Sequence, residues 1–289
     1  MRCISFKLLS IVLLLASCTS TGSQVWKVKD GVSTTYNFPL ADTFLELDNS
    51  LQEVSGLEYD VKSQRLLAIN DEKGIIYEID RQSGKADELY EFHKSGDYEG
   101  LARAGKFIFV LKSNGKLYRY NTDKDKTKVY DTGLSAINDA EGLYYEQSFN
   151  SLLIACKGLP LSENRHEKAI YRFRLDTKQL DADPVLLINV EQLKQNAENE
   201  LNAEQLWRLN RFAPSGVAIH PESGQIFLLS ARGSMLMVFD AKHSLDYVVF
   251  LDMQKLPQPE GIAFDEELNL YIASEGKAGR GKLMKFTPN

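Results

Sequence analysis

Short apolar runs, each bounded by turn residues, recur along the chain from residue 54 onward. They are rich in Ile, Leu, Phe, Tyr and Val, the residues that short strands favour. Each repeating unit begins with Glu or Ser, then Gly, then an aliphatic residue. The starts are Ser55-Gly56-Leu57, Glu99-Gly100-Leu101, Glu141-Gly142-Leu143, Ser215-Gly216-Val217 and Glu260-Gly261-Ile262. The five glycines are 44, 42, 74 and 45 residues apart, a spacing that predicts a repeat architecture.

Each start is followed by further strand-like runs, which gives four strands per unit. The second runs span residues 66–70, 107–112, 152–157, 226–230 and 270–274, and third and fourth runs follow them. Four strands in a repeat of about 40–45 residues are typical of one blade of a β-propeller. The sequence therefore predicts an all-β, five-bladed β-propeller of four-stranded blades. A six-bladed ring with one degenerate blade is the alternative.

Two irregularities in the repeat predict how the ring is completed. The third interval is about 30 residues longer than the others, and Asn202 followed by Gln205 is a capping-box pattern. We therefore predict a helical insertion over about residues 189–213. The 28 residues after Gly261 suffice for three strands, so we expect the N-terminal segment 25–48 to supply the closing strand. The predicted propeller domain spans residues 25–289.

The N-terminus has the pattern of a bacterial lipoprotein. Residues 1–17 carry two cations and then a nine-residue apolar run, which is too short to span a membrane. Residues 15–18 resemble a lipobox, so we expect a signal peptide over residues 1–17, a lipid on Cys18, and a tether over residues 18–24. Thr19 occupies the position where Asp would signal inner-membrane retention. We therefore expect a cell-envelope protein, anchored to the outer membrane and facing the periplasm or the surface.

Composition and charge narrow the class of protein. Hydrophobic residues make up 43% of the chain and charged residues 26%, as in ordinary globular proteins. The formal net charge is -6, and it becomes -8 without residues 1–17, so nucleic acid is not an expected partner. Cleavage of Cys3 and lipidation of Cys18 leave Cys156 without a disulfide partner. Because Cys156 lies in an apolar run, we expect a core thiol.

The residues that precede the repeat glycines are the candidate functional residues. The first strand of each propeller blade lines the axial channel, so these residues converge at one channel mouth: Ser55, Glu99, Glu141, Ser215 and Glu260. Glycine follows each of them because the backbones approach closely there. Three carboxylates in a narrow mouth repel one another and need protons, cationic partners or a metal. We predict Ca²⁺, held by the three glutamates and the two serines; the lack of Cys and His disfavours Zn²⁺.

Cations at the ends of the second strands leave other interpretations open. Lys112, Lys157 and Arg232 are expected at the same mouth. They neutralise the glutamates as ion pairs without a metal, or they are candidate anion-binding residues. In a third interpretation the glutamates are exposed and never converge.

The chain resembles the SdiA-regulated (YjiK-like) family of bacterial membrane-anchored propellers and, more distantly, NHL-repeat propellers. The Glu/Ser-Gly-aliphatic starts carry the resemblance, together with Asn70-Asp71-Glu72 and Ala273-Ser274-Glu275 at the ends of second strands. It covers about residues 53–286. The resemblance implies a five-bladed propeller with a bound calcium ion and no established reaction.

Two functions remain open. The first is a non-catalytic, calcium-binding propeller that binds a ligand or an envelope protein. The second is a metal-dependent hydrolase of the esterase, lactonase or phosphatase-like kind, in which Lys112, Lys157 and Arg232 bind an anionic substrate. The sequence contains no G-x-S-x-G elbow, P-loop or H-E-x-x-H motif and no identifiable acid–base pair, which favours the binding module.

Overall fold

The computed structural model describes residues 22–277 and 279–289. Two N-terminal strands, β1 (Gln24–Lys27) and β2 (Thr43–Glu46), precede five consecutive groups of strands. Each group forms one antiparallel sheet, or blade. Blade 1 consists of β3 (Val54–Asp60), β4 (Arg65–Asn70), β5 (Ile75–Ile79) and β6 (Ala86–Glu91), and blade 2 of β7 (Tyr98–Ala104), β8 (Phe107–Lys112), β9 (Lys116–Asn121) and β10 (Lys126–Asp131). Blade 3 consists of β11 (Ala140–Glu146), β12 (Ser151–Cys156), β13 (Glu167–Arg174), β14 (Gln179–Leu180) and β15 (Leu186–Asn189). Blade 4 contains β16 (Gly216–Ile219), β17 (Ile226–Ser230), β18 (Met235–Phe239) and β19 (Leu245–Phe250), and blade 5 contains β20 (Gln258–Phe264), β21 (Leu270–Glu275) and β22 (Lys282–Phe286).

The five blades form a closed ring. Their innermost strands, β3, β7, β11, β16 and β20, contact one another in this order, and β20 returns to β3. Five blades, rather than six, therefore complete the propeller. The prediction of a five-bladed ring is confirmed.

The N-terminal segment completes two blades. Strand β2 pairs with β22, with Thr43 opposite Lys285 and Glu46 opposite Lys282, and so supplies the fourth strand of the last blade. This confirms the predicted closure. Strand β1 pairs with β19 and adds a fifth strand to blade 4, which the sequence did not indicate. Both strands cover edges that would otherwise be free to pair with another chain.

The hydrophobic core lies between neighbouring blades. Apolar side chains from both sheets meet there, as Leu67 and Ile69 of blade 1 meet Ile108 and Val110 of blade 2. Strands buried on both faces account for the continuous apolar runs in the sequence. Cys156 is a buried free thiol in the core between blades 2 and 3, as expected, and burial raises its pKa to about 12.

The insertion after β15 forms the two α-helices of the described residues, α1 (Val190–Ala197) and α2 (Ala203–Leu209). The predicted capping box is present. The side chain of Asn202 accepts a hydrogen bond from the backbone N–H of Gln205 at 3.0 Å, and the side chain of Gln205 accepts one from the backbone N–H of Asn202 at 3.1 Å. Arg208 fixes α2 to blade 4 by donating to the carbonyls of Gly233 at 2.6 Å and Leu251 at 2.7 Å. The helices are thus docked on the propeller.

The predicted signal peptide and Cys18 fall within residues 1–21, outside the described residues. In the part of the chain that the structure describes, no helix is both long and apolar enough to cross a membrane.

Candidate functional site

Four innermost strands carry a β-bulge at the residue that precedes the repeat glycine. The pairing of β3 with β4 shifts between Val54 and Gly56, and β7, β11 and β20 show the same shift at the equivalent place. The extra residues are Ser55, Glu99, Glu141 and Glu260. A bulge leaves its extra residue outside the ladder and redirects its side chain. In blade 4, Ser215 occupies the equivalent position just before β16.

The repeat glycines allow the backbones to converge at the axis. A Cβ on Gly216 would lie 2.4 Å from the carbonyl oxygen of Glu260, and one on Gly100 would lie 2.6 Å from that of Glu141. This confirms the reason that the sequence gives for glycine at these positions. The cavity between the first-strand residues has a volume of about 10 Å³, which holds one water at most. The space between the first strands therefore has no room for a larger ligand.

Three carboxyl groups share one lysine at this mouth. Glu141 and Glu260 are only 2% and 5% exposed, and Glu99 is partly buried. Lys157 Nζ donates to Glu141 Oε1 at 2.8 Å, which is one of the ion pairs that the sequence left open. Glu260 Oε2 is buried and has no hydrogen-bond partner among the described residues. The positive charge of Lys157 is thus the main compensation for the three carboxylates.

Burial and mutual repulsion shift the titration of these groups. Burial, followed by the charge of Glu141, raises the pKa of Glu99 to about 9. Burial raises the pKa of Glu141 to about 7 even though Lys157 lowers it. The pKa of Glu260 is raised by burial first and then by the charge of Glu141. The repulsion that the sequence predicted between these glutamates is therefore present.

The two serines of the set make hydrogen bonds between blades. Ser55 Oγ donates to the carbonyl of Tyr98 at 2.7 Å. Ser215 Oγ donates to the carbonyl of Pro259 at 2.8 Å and accepts from the Ala231 N–H at 3.0 Å. Both hydroxyls thus link neighbouring blades at the mouth, whereas the sequence prediction made them ligands of the metal.

Further carboxylates surround the mouth on the side of blades 5, 1 and 2. Burial, then the charges of Glu53 and Glu275, raises the pKa of Asp71 to about 7. Asp71 directly follows β4 and Glu275 ends β21, so both lie where second strands reach the mouth. Glu53 was missed because it precedes the repeat motif, although the backbone N–H of Asp71 donates to its carbonyl at 3.2 Å. This part of the rim is strongly acidic.

The structure does not bring the three candidate anion-binding residues together. Lys157 is paired with Glu141 in the mouth, and Lys112 is partly exposed at the end of β8. Arg232 is exposed and lines a separate cavity between blades 3 and 4.

The ligand atoms at the mouth suit calcium, but they do not form a preassembled metal site. Among residues 22–277 and 279–289, no three His, Cys, Asp or Glu side chains are placed together to hold a metal ion. The available donors nevertheless suit a hard cation, because they are carboxylates and one oxygen of Glu260 has no partner in residues 22–277 and 279–289. The ammonium of Lys157 already contacts Glu141 and so competes with any cation for that carboxylate.

Comparison with known proteins identifies the family. The SdiA-regulated family model matches residues 32–278. The chain belongs to the SdiA-regulated family. No curated protein matches this SdiA-regulated chain in sequence.

Solved structures similar to this SdiA-regulated chain share its fold at low identity. Glutaminyl cyclase from Myxococcus xanthus is 14% identical with a TM-score of 0.53, covering 86% of this chain and 96% of its own. A gluconolactonase from Xanthomonas campestris is 11% identical with a TM-score of 0.51, covering 90% and 100%. An aldose sugar dehydrogenase from Streptomyces coelicolor is 13% identical with a TM-score of 0.53, covering 93% and 99%. These similarities concern the fold alone.

Proposed function

We propose that this protein is an envelope-anchored binding module whose channel mouth binds Ca²⁺ through Glu99, Glu141 and Glu260, without catalysing a reaction. The observation that carries the proposal is the charge balance of the mouth. Three carboxyl groups, two of them buried, face one ammonium group, that of Lys157. If all were ionised, about two negative charges would remain uncompensated in a desolvated site. A divalent cation supplies that compensation.

Calcium suits this mouth better than other common divalent metals. Zn²⁺ prefers Cys and His ligands, and Mg²⁺ requires a near-octahedral shell. Ca²⁺ accepts an irregular set of six to eight oxygens and completes it with water. Ser55 and Ser215 remain part of the proposed site because their hydrogen bonds hold neighbouring blades together at the mouth.

A lipid on Cys18 would place blade 4 near the bilayer. Strand β1 begins at Gln24, and six extended residues reach about 20 Å. Because β1 is the outer strand of blade 4, the lipid would hold this edge close to the membrane. Replacing Cys18 by Ala is expected to leave an unprocessed precursor or to release the protein. A processed C18A variant that still fractionates with membranes would contradict the anchor.

The calcium proposal is tested by melting curves in calcium and in chelator. Bound ion stabilises only the folded state, by about 2.7 kcal/mol at a hundredfold excess over Kd. We expect Glu99→Gln and Glu141→Gln to reduce the calcium-dependent rise in Tm. Glu146→Gln is the matched control, because Glu146 lies at the far end of β11 and pairs with Arg172 at 2.8 Å.

The ion-pair interpretation predicts a different result. Glu141→Gln would leave Lys157 without its charged partner, so Tm would fall equally with and without calcium. A wild type whose Tm does not change in chelator, and which carries no tightly held ion, would contradict the calcium site.

A metal-dependent hydrolase is the second candidate. It is favoured by the carboxyl group of Glu141, whose pKa of about 7 would allow proton exchange near neutrality. Calcium-dependent turnover of a lactone, a carboxylic ester or a phosphate ester, abolished by Glu141→Gln, would replace the binding module. Absence of turnover on all three substrate classes would support the binding module.

A further inference from the structure

A second polar site lies between blades 3 and 4, and it is cationic. We call it the blade 3–4 cavity; its volume is about 490 Å³, within the range of small-molecule sites. The titratable side chains that line it are Arg165, His166, Lys168, Glu191, Arg211 and Arg232. Lys168 lies beside the channel mouth, because the next residue, Ala169, pairs with Cys156 at the end of β12. The insertion covers the cavity from the side.

Four basic side chains of the blade 3–4 cavity, Arg165, Lys168, Arg211 and Arg232, lack an ion-pair partner among the described residues. Arg211 stacks over the Trp207 ring at 4.9 Å instead. Glu191, whose Oε1 accepts a hydrogen bond from Gln195 at 3.3 Å, is the one carboxylate in the described lining.

Other arginines of the chain show that this is unusual. Arg81, Arg103 and Arg172 each contact a carboxylate at 2.7 or 2.8 Å. The blade 3–4 cavity therefore concentrates positive charge that no ion pair of the described residues compensates.

The fold holds Lys168 in a fixed position within this cavity. Its Nζ donates to the carbonyl of Lys157 at 2.6 Å and to that of Gly158 at 2.9 Å. An ammonium group has three donors, so one remains for a ligand. Burial, and then the nearby charge of Arg232, lowers the pKa of Lys168. An anion in the cavity would relieve this repulsion.

We propose that the blade 3–4 cavity binds a phosphate monoester, whose phosphate group contacts Lys168, Arg165 and Arg232. A phosphate monoester carries nearly two negative charges at neutral pH, and arginine forks match its oxygens in bidentate geometry. The cavity is larger than a phosphate group, and Val190 and Phe212 give it an apolar wall for the organic part. The site does not depend on calcium in the mouth.

Calorimetric titration in chelator tests this site with three probes: inorganic phosphate, glycerol phosphate, and vesicles of phosphatidylcholine with or without phosphatidic acid. We expect wild type to bind at least one phosphate probe, and Arg232→Gln and Arg165→Gln to weaken binding by about tenfold each. Both arginines are exposed, so these variants are expected to fold. Arg65→Gln is the matched control, because Arg65 begins β4, at the opposite end from the mouth.

Each outcome decides the proposal. Binding of soluble phosphate that both variants weaken supports a free phosphate ester as the ligand. Binding confined to phosphatidic acid vesicles, and weakened in the same way, supports a lipid headgroup. No binding of any probe, or equal binding by wild type and Arg232→Gln, overturns the site. Glu99→Gln should bind phosphate as wild type does, which separates this proposal from the calcium proposal.

Discussion

A glutamate before a repeat glycine has a different environment in each blade that carries one. Glu141 is paired with Lys157, Glu99 is partly exposed, and one oxygen of Glu260 has no hydrogen-bond partner within the described part of the chain. The repeat motif was sufficient to predict that these three residues converge. It could not predict which of them the lysine would contact, because that depends on side chains from a different strand. Likewise, the hydroxyls of Ser55 and Ser215 donate hydrogen bonds to backbone carbonyls, and no sequence pattern predicts these partners.

The glycines at the axis give a stability prediction at the residue scale. Gly216→Ala would place a Cβ 2.4 Å from the carbonyl oxygen of Glu260, so backbone must shift. We expect a loss of about 1–3 kcal/mol in the free energy of unfolding, measured in urea. Gly22→Ala is the control, because none of the described residues lies within 4 Å of its added Cβ. A G216A variant as stable as wild type would show that the ring of backbones is looser than described.

Glu58, at the opposite face of the propeller, gives a pH prediction. Glu58 lines a cavity of about 370 Å³. Its carboxylate accepts hydrogen bonds from the backbone N–H groups of Tyr59 at 3.0 Å and Arg103 at 3.2 Å. Burial raises the pKa of Glu58 from 4.5 to about 7. Because the folded state holds this proton more tightly, the stabilisation is complete below about pH 4.5 and is lost as the pH rises through about 7.

Urea unfolding at pH 5 and pH 8 checks this prediction. Glu58→Gln remains neutral at both pH values, so we expect it to lose less stability between them than wild type does. The exposed Glu88→Gln variant should keep the wild-type difference. The prediction is wrong if Glu58→Gln and wild type lose the same stability.

At the scale of elements, local signals predicted most of the architecture. The glycine period predicted the blades, and the capping box at Asn202 predicted α2. Strand β1 was missed because four residues, Gln24–Lys27, carry no repeat motif, and their place beside β19 is decided by long-range pairing. The fourth position of blade 3 was predicted as one strand. The structure has two short strands there, β14 and β15, both paired with β13.

Truncations separate the contributions of the two N-terminal strands. Removal of residues up to 27 deletes β1 and the 2.7 Å hydrogen bond from Trp26 to Glu200, so we expect a lowered Tm with the ring intact. Removal up to residue 46 also deletes β2 and the fully buried Tyr36 and Phe38, so we expect no cooperative melting. Thermal unfolding followed by circular dichroism measures both. An unchanged Tm in the longer truncation would mean that the ring does not need its closing strand.

At the scale of the whole molecule, opposite charges lie beside each other near one end of the propeller. The mouth and its rim are acidic, with Glu99, Glu141 and Asp71, whereas the blade 3–4 cavity is basic. The sequence placed Arg232 among the mouth residues because it follows β17, the second strand of blade 4. It could not assemble Arg165, Lys168 and Arg211 with Arg232, since they belong to separate elements that only the fold and its insertion bring together.

Calcium binding at the mouth is tested most directly by titrating Ca²⁺ into chelator-treated protein in a calorimeter. We predict one ion per chain for wild type and for the Glu146→Gln control. In Glu260→Gln, which replaces the carboxylate whose buried oxygen lacks a partner among the residues described, we predict a calcium affinity reduced by about tenfold or more. A wild type that binds no calcium at millimolar concentration, or a Glu260→Gln variant that binds it as tightly as wild type, would contradict the proposed calcium site.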